Sequence, residues 1–459
     1  MSGDGTPGPR SDGTPGLRSD DTSGSRSDGP AGPTEEPVPG GSDRPGPATD
    51  GGTVAGRGRD GRDGRAGRET FEDVDWSTVG GGRAVLSRRD RGALASVAVV
   101  AAAFAYDLLV LPSGTPLVPG PLPWDLSQLD WLFVLSLVLS AWYVVVPLAR
   151  NRRLTRHYWR QFRKNRLAVA SLAYLGVVFA VGTAGPILLA KPELALTKQY
   201  QPPLFVGVDP SVPIRCVGPV VEGACRGTLA HPLGTTSDGK DILVLVVYGM
   251  NVSIRIGLIV PLIVITVGTT VGTVAAYAGG MVDEVLMRYV DVQQTFPAFF
   301  LFLLLTYIFG GSLFLFVLIF GFFGWESIAR LVRSEALQRR EEQYVRAAVG
   351  AGAGTAYVIR RHLVPNVSST VITATTLLIP SFILFEAALS FLGLGDPTVP
   401  SWGQVIAAGR SDLDTAWWIS TFPGFFLFFT ILAFNFVGDA LRDALDPRSE
   451  GGGGGGGGA

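Results

Sequence analysis

The sequence predicts an all-α, polytopic membrane protein: a block of six membrane-spanning helices, preceded by two extra ones and a disordered N-terminal arm. Three observations carry this. Hydrophobic residues make up 47% of the 459 and charged residues only 17%, against about 25% charged in an ordinary soluble domain. More than a third of the charged side chains fall in the first 91 residues, so the remainder is too apolar for a soluble globule or a disordered chain. Beyond residue 91 the apolar residues gather into stretches of about 20, the length that spans a bilayer as a helix.

Residues 1–82 read as a low-complexity arm. A short Gly/Pro/Ser/Asp unit repeats as "GTPGPRSDGTPGLRSD" and passes into "GRGRDGRDGRAGRE". Gly and Pro oppose helix and nothing apolar is available to bury, so the arm stays disordered. Its charged stretch is too long for a secretory signal. Residues 449–459, mostly Gly, read as a flexible tail. Between them the apolar runs are Gly92–Leu111, Leu129–Leu148, Leu167–Ala190, Ile256–Tyr277, Val285–Phe309, Leu313–Leu331, Val367–Phe391 and Ala416–Val437. The fifth and sixth come from a long uncharged run, divided at Gly310-Gly311-Ser312 because Gly and Ser favour a turn. Pro261, Pro297 and Pro380 lie inside spans and are expected kink sites.

Basic residues set the orientation. Arg83, Arg88, Arg89 and Arg91 precede the first span, eight more Arg and Lys occupy the link between the second and third, and a further group fills the 332–366 connection. With eight crossings all of these fall on one side, and the Arg- and Lys-poorer segments 112–128, 191–252 and 392–415 fall on the other. Both termini are therefore expected in the cytoplasm of a multi-pass cell-membrane protein. Residues 83–159 form the two extra helices with a basic link, and 160–448 the six-helix domain, with an external loop at 191–252 and a cytoplasmic one at 330–366.

Several chemistries are excluded or weakened. A formal net charge of −1 predicts no nucleic-acid partner. Gly234-Thr235-Thr236-Ser237-Asp238-Gly239-Lys240-Asp241 approaches a phosphate-binding loop, but Asp241 stands where a hydroxyl is needed and would repel phosphate. It also falls on the external side, where it reads as a loop leading into an amphipathic segment. No cofactor, ATP included, is expected on this chain. Three scattered histidines offer neither metal-ligand spacing nor a catalytic cluster, so the chain reads as non-enzymatic. Cys216 and Cys225 flank a Gly/Pro-containing loop on the external side, where a disulfide is expected in preference to two free thiols.

The 330–366 connection is the most informative polar piece. Ile328–Ala348 is charged and helical in composition, Gly350, Gly352 and Gly354 interrupt it, and Ala356–Leu363 forms a second short helix ended by Pro365. Short alanine-rich helices with glycine breaks suit a surface that docks against something, although a solvated hairpin is the plain alternative. Among ionisable groups in the spans, Arg288 and Asp291 share a helix face and can pair, fixing helix packing; lining a path is their alternative role. Glu386 lies near the outer end of its span and either hydrogen-bonds a neighbouring helix or faces the path. Trp402 reads as an interfacial anchor, and His362 as a surface contact or a pH-sensitive group.

Six ordered blocks complete the reading: "HPLGTTSDGKDILVLVVYG" (231–249), "GGMVDEVLMRYVDVQQTFPAF" (279–299), "YVRAAVGAGAGTAYVIRRHLVPN" (344–366), "EAALSFLGLG" (386–395), "PSWGQVI" (400–406) and "AFNFVGDALRDALDPR" (433–448). Together they resemble the second-type permease subunit of ABC importers for dipeptides, oligopeptides and nickel, from about Arg160 to Arg448. The resemblance implies a six-helix permease core paired with a first-type permease subunit, two cytosolic ATPase subunits that use ATP, and an external solute-binding protein. It also implies a cytoplasmic loop that docks on the ATPase. Ala347, Ala348, Gly352 and Pro365 match that loop's pattern, and Tyr344, Arg360, Arg361 and His362 belong to the same block. Arg346 departs from it, standing where the family usually has Glu. Peptide is the cargo the resemblance implies, with nickel or another small solute as alternatives. A self-sufficient channel or ion-coupled carrier is the competing class, but such proteins carry more charge near the bilayer centre than these spans do.

Overall fold

The computed structural model describes residues 88–112, 126–213 and 215–445; the expected N-terminal arm and Gly-rich tail lie outside the described residues. Helix α1 is Arg88–Leu109. Helix α2, Gln128–Ser140, starts on a reciprocal cap between Ser127 and Asp130 and passes through a π turn at Ala141–Val145 into α3, Val146–Arg150. The wide turn precedes Pro147, whose missing N–H would leave a gap in a regular ladder. A short basic helix, α4 (Arg152–Phe162), leads to α5, Arg166–Leu188, whose Asn165 cap accepts from the Ala168 N–H.

Helix α6 runs from Ile242 to Ala278, 37 residues, or about 55 Å at 1.5 Å per residue. It starts earlier than the apolar run at Ile256. Asp241, the misfit of the phosphate-loop pattern, accepts from the Val244 N–H at 3.2 Å and caps it. The amphipathic segment expected after the loop is thus the first third of one long helix, which also runs through Pro261. Pro297 does break its span. Helices α7 (Gly280–Thr295) and α8 (Ala298–Phe309) meet at 62°, with Phe296 held extended at φ −76°, ψ 127°, as the residue before proline prefers. Gly310, at φ +84°, turns the chain into α9, Leu313–Phe322, capped by Ser312, and α10 follows at Glu326–Arg340.

Helices α11 (Gln343–Gly350) and α12 (Thr355–Val358) come next, then a π turn at Ile359–Leu363 and α13, Val364–Phe391. Two expectations are corrected here. The stretch from Ile328 to Ala348 is not one helix: it breaks between Arg340 and Gln343, and the break turns Val345 back into the protein, 1% exposed. Pro365 does not end the second short helix, because the π turn before it accommodates the missing donor and the helical path continues from Thr355 to Phe391. Helices α14 (Trp402–Ala408), α15 (Leu413–Ala416) and α16 (Trp418–Leu445) complete the chain.

Among the described residues, seven helices are long and apolar enough to cross a membrane, or eight if the bent pair α7–α8 is one span. The protein is a polytopic helical membrane protein with two helices ahead of a six-span block. Its central core gathers α6, α9, α10 and α13 around Val260, Phe316, Ile328 and Val367, and Leu129 and Phe133 of α2 join it. A second cluster sits at the end of the bundle that carries residues 189–241. There Ile242, Val246 and Met250 of α6 meet Trp402, Val405, Trp418 and Ile419. Trp402 is 1% exposed and its indole N–H donates to the Val246 carbonyl at 3.0 Å. It is a core residue, not an interfacial anchor. Its ring lies where a Gly249 side chain would be.

The 189–241 segment holds a small antiparallel sheet of β1 (Gly207–Val208), β2 (Val220–Val221) and β3 (Ala224–Arg226) in the order β1-β3-β2. A disulfide joins Cys216 to Cys225 on β3. Gln201 organises the loop: its side chain donates to the Arg215 carbonyl and accepts from the Val217 N–H. Trp418 ties the segment to the bundle by donating to the Thr235 carbonyl at 3.1 Å. The Tyr200 hydroxyl, 3.4 Å from Asp412, has its pKa raised by burial and by that carboxylate.

Candidate functional site

At the opposite, basic end of the bundle, residues 326–366 form the most elaborate polar structure. Its foundation is the seam between α6 and α10. Gly268 and Gly272 lie one turn apart on α6, and α10 packs so closely that a Cβ on Gly272 would come within 2.5 Å of the Ala329 carbonyl. One on Gly268 would meet Ile328 at 2.8 Å. The facing residues Ala329, Val332 and Ala336 are fully buried. Small residues let two membrane helices approach and gain dispersion contact where no hydrophobic effect drives them together. The Gly-x-x-x-Gly spacing at 268–272 is legible in the sequence, and this is the signal the sequence reading passed over.

Polar ties extend the seam. Arg333 donates to both oxygens of Asp283 on α7, at 2.6 and 2.5 Å, the paired geometry a guanidinium favours with a carboxylate. Arg330 bonds Asp291 at 2.5 Å. This corrects the expected pairing of Arg288 with Asp291: three-residue spacing makes it available, but α10 presents a guanidinium to the same carboxylate. Arg288 lies exposed on α7. At the far end of α10, Arg340 donates to the Ala276 carbonyl at 3.0 Å, tying the ends of α6 and α10 together. Helices α6, α7 and α10 are thus joined at several points along their length.

On this base stands an exposed part. Helix α11 inserts one residue, Val345, while Tyr344, Arg346, Ala347 and Val349 face outward. Gly352 follows at φ +84°, a conformation that costs glycine least. Val358 and Leu363, both fully buried, anchor the return. His362 lies between the rings of Tyr344 and Tyr357, with centroids 5.9 and 5.8 Å away, so it bridges α11, α12 and the start of α13. Ala348 is half-buried, and Arg361 and Pro365 are exposed. Arg346 pairs with Glu341 of the same chain; the charge standing where the family usually has Glu is met internally. Tyr277, Arg340, Glu341, Val345, Arg346 and Val349 line a cleft of about 440 Å³. Arg360 pairs with Asp90 on α1, tying the first extra helix to this region.

Glu386 lies at the other end of α13, 3% exposed. It accepts from Ser390 of its own helix at 2.6 Å and from the Ser401 hydroxyl that precedes α14. It belongs to the packing of that end and does not join the basic-end site. No cluster of metal-ligating side chains occurs among the described residues.

Comparison with known proteins assigns this architecture. Residues 268–451 match the family described as binding-protein-dependent transport system inner membrane component, and residues 153–203 match the N-terminal TM domain of oligopeptide transport permease C. The chain is 34% identical over 299 residues to the oligopeptide transport system permease protein OppC of Haemophilus influenzae, covering 65% of this chain and 90% of that protein. It is 34% identical over 298 residues to the dipeptide transport system permease protein DppC of Bacillus subtilis, covering 64% and 86%. It is 32% identical over 313 residues to the glutathione transport system permease protein GsiD of Pectobacterium atrosepticum, covering 67% and 97%. With a matched core, a matched N-terminal segment and relatives covered nearly end to end, the chain belongs to the ABC importer permease subunits, as a second-type permease of the dipeptide, oligopeptide and nickel transport family.

Proposed function

We propose that this chain is the membrane-spanning half of the translocation path of an ATP-driven, binding-protein-dependent importer of dipeptides or oligopeptides. It pairs with a first-type permease, receives cargo from an external solute-binding protein, and is driven by two cytosolic ATPase subunits that bind the ATP. The basic end faces the cytosol, in accord with the Arg and Lys bias, and both termini lie there.

The observation that carries the reading is the build of residues 326–366. Helix α11 is exposed on nearly every face yet anchored through Val345, Val358 and Leu363. It follows α10 after a two-residue break, and α10 is bound to α6 by the glycine seam and to α7 by Arg333–Asp283 and Arg330–Asp291. A partner that grips α11 and moves therefore displaces α10, α6 and α7 as a unit, because packed helices switch between discrete arrangements rather than deform. The path between the two permease subunits then opens alternately to either side. Arg346 engages Glu341, so the ATPase contact at this position is expected to rest on shape and on Ala347 and Tyr344, with no acidic residue at 346.

Co-purification tests this. The tagged chain, taken from its native membrane, should bring down an ATP-hydrolysing chain and a second permease. Ala347→Trp should leave the isolated chain folded, since Ala347 faces outward, but should remove the ATPase and abolish peptide uptake. Absence of any ATPase partner, or full uptake by the variant, sinks the proposal.

A further inference from the structure

The link between the third and fifth helices carries a feature that the coupling scheme leaves unused. Helix α4 spans eleven residues, Arg152–Phe162. At about 100° per residue, Arg152, Arg153, Arg156 and Arg160 fall on one face and Leu154, Tyr158 and Phe162 on the other, with Trp159 at the border beside Arg152 and its ring stacked on Phe162. All four arginines are exposed. Among the described residues none of them lies within ion-pair distance of a carboxylate. The sequence supplies no local acid either: no Asp or Glu occurs from Trp131 to Pro192.

The apolar face is divided. Phe162 is buried against Ala168 of α5 and Ala440 of α16, which fixes the helix to the bundle. Leu154 and Trp159 remain 49% and 43% exposed. The helix also lies where two membrane spans end: the Thr155 hydroxyl donates to the Leu148 carbonyl at the close of α3, and α5 begins four residues after Phe162. The junction of two spans is where the headgroup layer lies. One face offers Leu154, with Trp159 at its edge, to the acyl boundary, and the other offers four guanidinium groups to the headgroup layer.

We propose that α4 is a binding platform for anionic lipid headgroups, with Arg152, Arg153, Arg156 and Arg160 holding the phosphates and Leu154 and Trp159 seated in the acyl boundary. Charge complementarity selects this occupant: four exposed cations with no carboxylate in ion-pair distance attract anionic phosphodiesters, and the exposed apolar pair suits a non-aqueous neighbour. The site is independent of which cargo crosses the membrane and of which chain hydrolyses ATP.

The test uses the full chain in phosphatidylcholine vesicles carrying a trace of spin-labelled phosphatidylglycerol or spin-labelled phosphatidylcholine. Electron paramagnetic resonance reads the fraction of each tracer immobilised on the protein. At low salt the wild type should hold phosphatidylglycerol about threefold over phosphatidylcholine, falling toward parity as salt screens the charges. Replacing the four arginines by Gln should abolish the preference, and replacing them by Lys should keep it, because the attraction is by charge. Equal immobilisation of both tracers by the wild type overturns the proposal and leaves a protein partner as the occupant. A Gln variant that keeps the preference, or a Lys variant that loses it, overturns it as well. No transport step is measured, so failure here leaves the importer reading standing.

Discussion

The two ends of the bundle are built on opposite principles. At the end carrying residues 189–241, Trp402 and Trp418 are sealed inside with their indole N–H groups satisfied by backbone carbonyls, and a disulfide closes the loop above them. At the basic end, α11 is held by single buried side chains and ringed by exposed charge. The first end gains stability from large apolar area. The second leaves a small helix accessible and spends its strong contacts underneath, on the seam of α6 with α10. An exposed helix buries little of its own surface, so its rigidity must come from below.

Substitutions should separate the two designs. Trp402→Ala removes a fully buried aromatic ring and is expected to cost about 3–5 kcal/mol, read as a large drop in the melting temperature of the detergent-solubilised protein. Gly272→Leu forces α6 and α10 apart against the Ala329 backbone. It should cost about 1–3 kcal/mol and lower uptake beyond what its reduced abundance explains; uptake in proportion to abundance would make the seam purely structural. Asp283→Asn breaks the paired hydrogen bonds to Arg333. A loss of about 1.5 kcal/mol is expected, and Arg333→Gln on that background should add little in a double-mutant cycle. Arg346→Ala removes a solvent-exposed ion pair and should change the melting temperature by less than about 1 kcal/mol equivalent. If it costs as much as Asp283→Asn, the contrast between an exposed helix and a bonded base is wrong.

The apolar spans were legible because membrane helices announce themselves by composition, and the break at Pro297 followed from proline's geometry. The length of α6 was not legible. Asn251, Ser253 and Arg255 interrupt its apolar run, and only tertiary contacts accommodate them: Asn251 donates to the Gly182 carbonyl on α5, and Arg255 pairs with Asp130 of α2. The burial of Trp402 was hidden for the same reason, since the space it fills exists because Gly249 lacks a side chain on a distant helix. Asp291 shows the limit of local spacing, which proposed Arg288 while the fold supplied Arg330. The exposed segment at 343–363 was readable as short helices with glycine breaks. Its foundation on Gly268 and Gly272 was present as a spacing, but the facing helix had to be seen before the spacing acquired a meaning.

The uninterrupted length of α6 has one more consequence. The helix reaches from the cluster around Trp402 to the seam at Gly272, so it behaves like an oar across a gunwale. With its midpoint as pivot, a tilt of one degree swings its two tips about 0.5 Å in opposite directions. A displacement at one tip is therefore felt at the other at once, with the direction reversed and no relay of intermediate contacts.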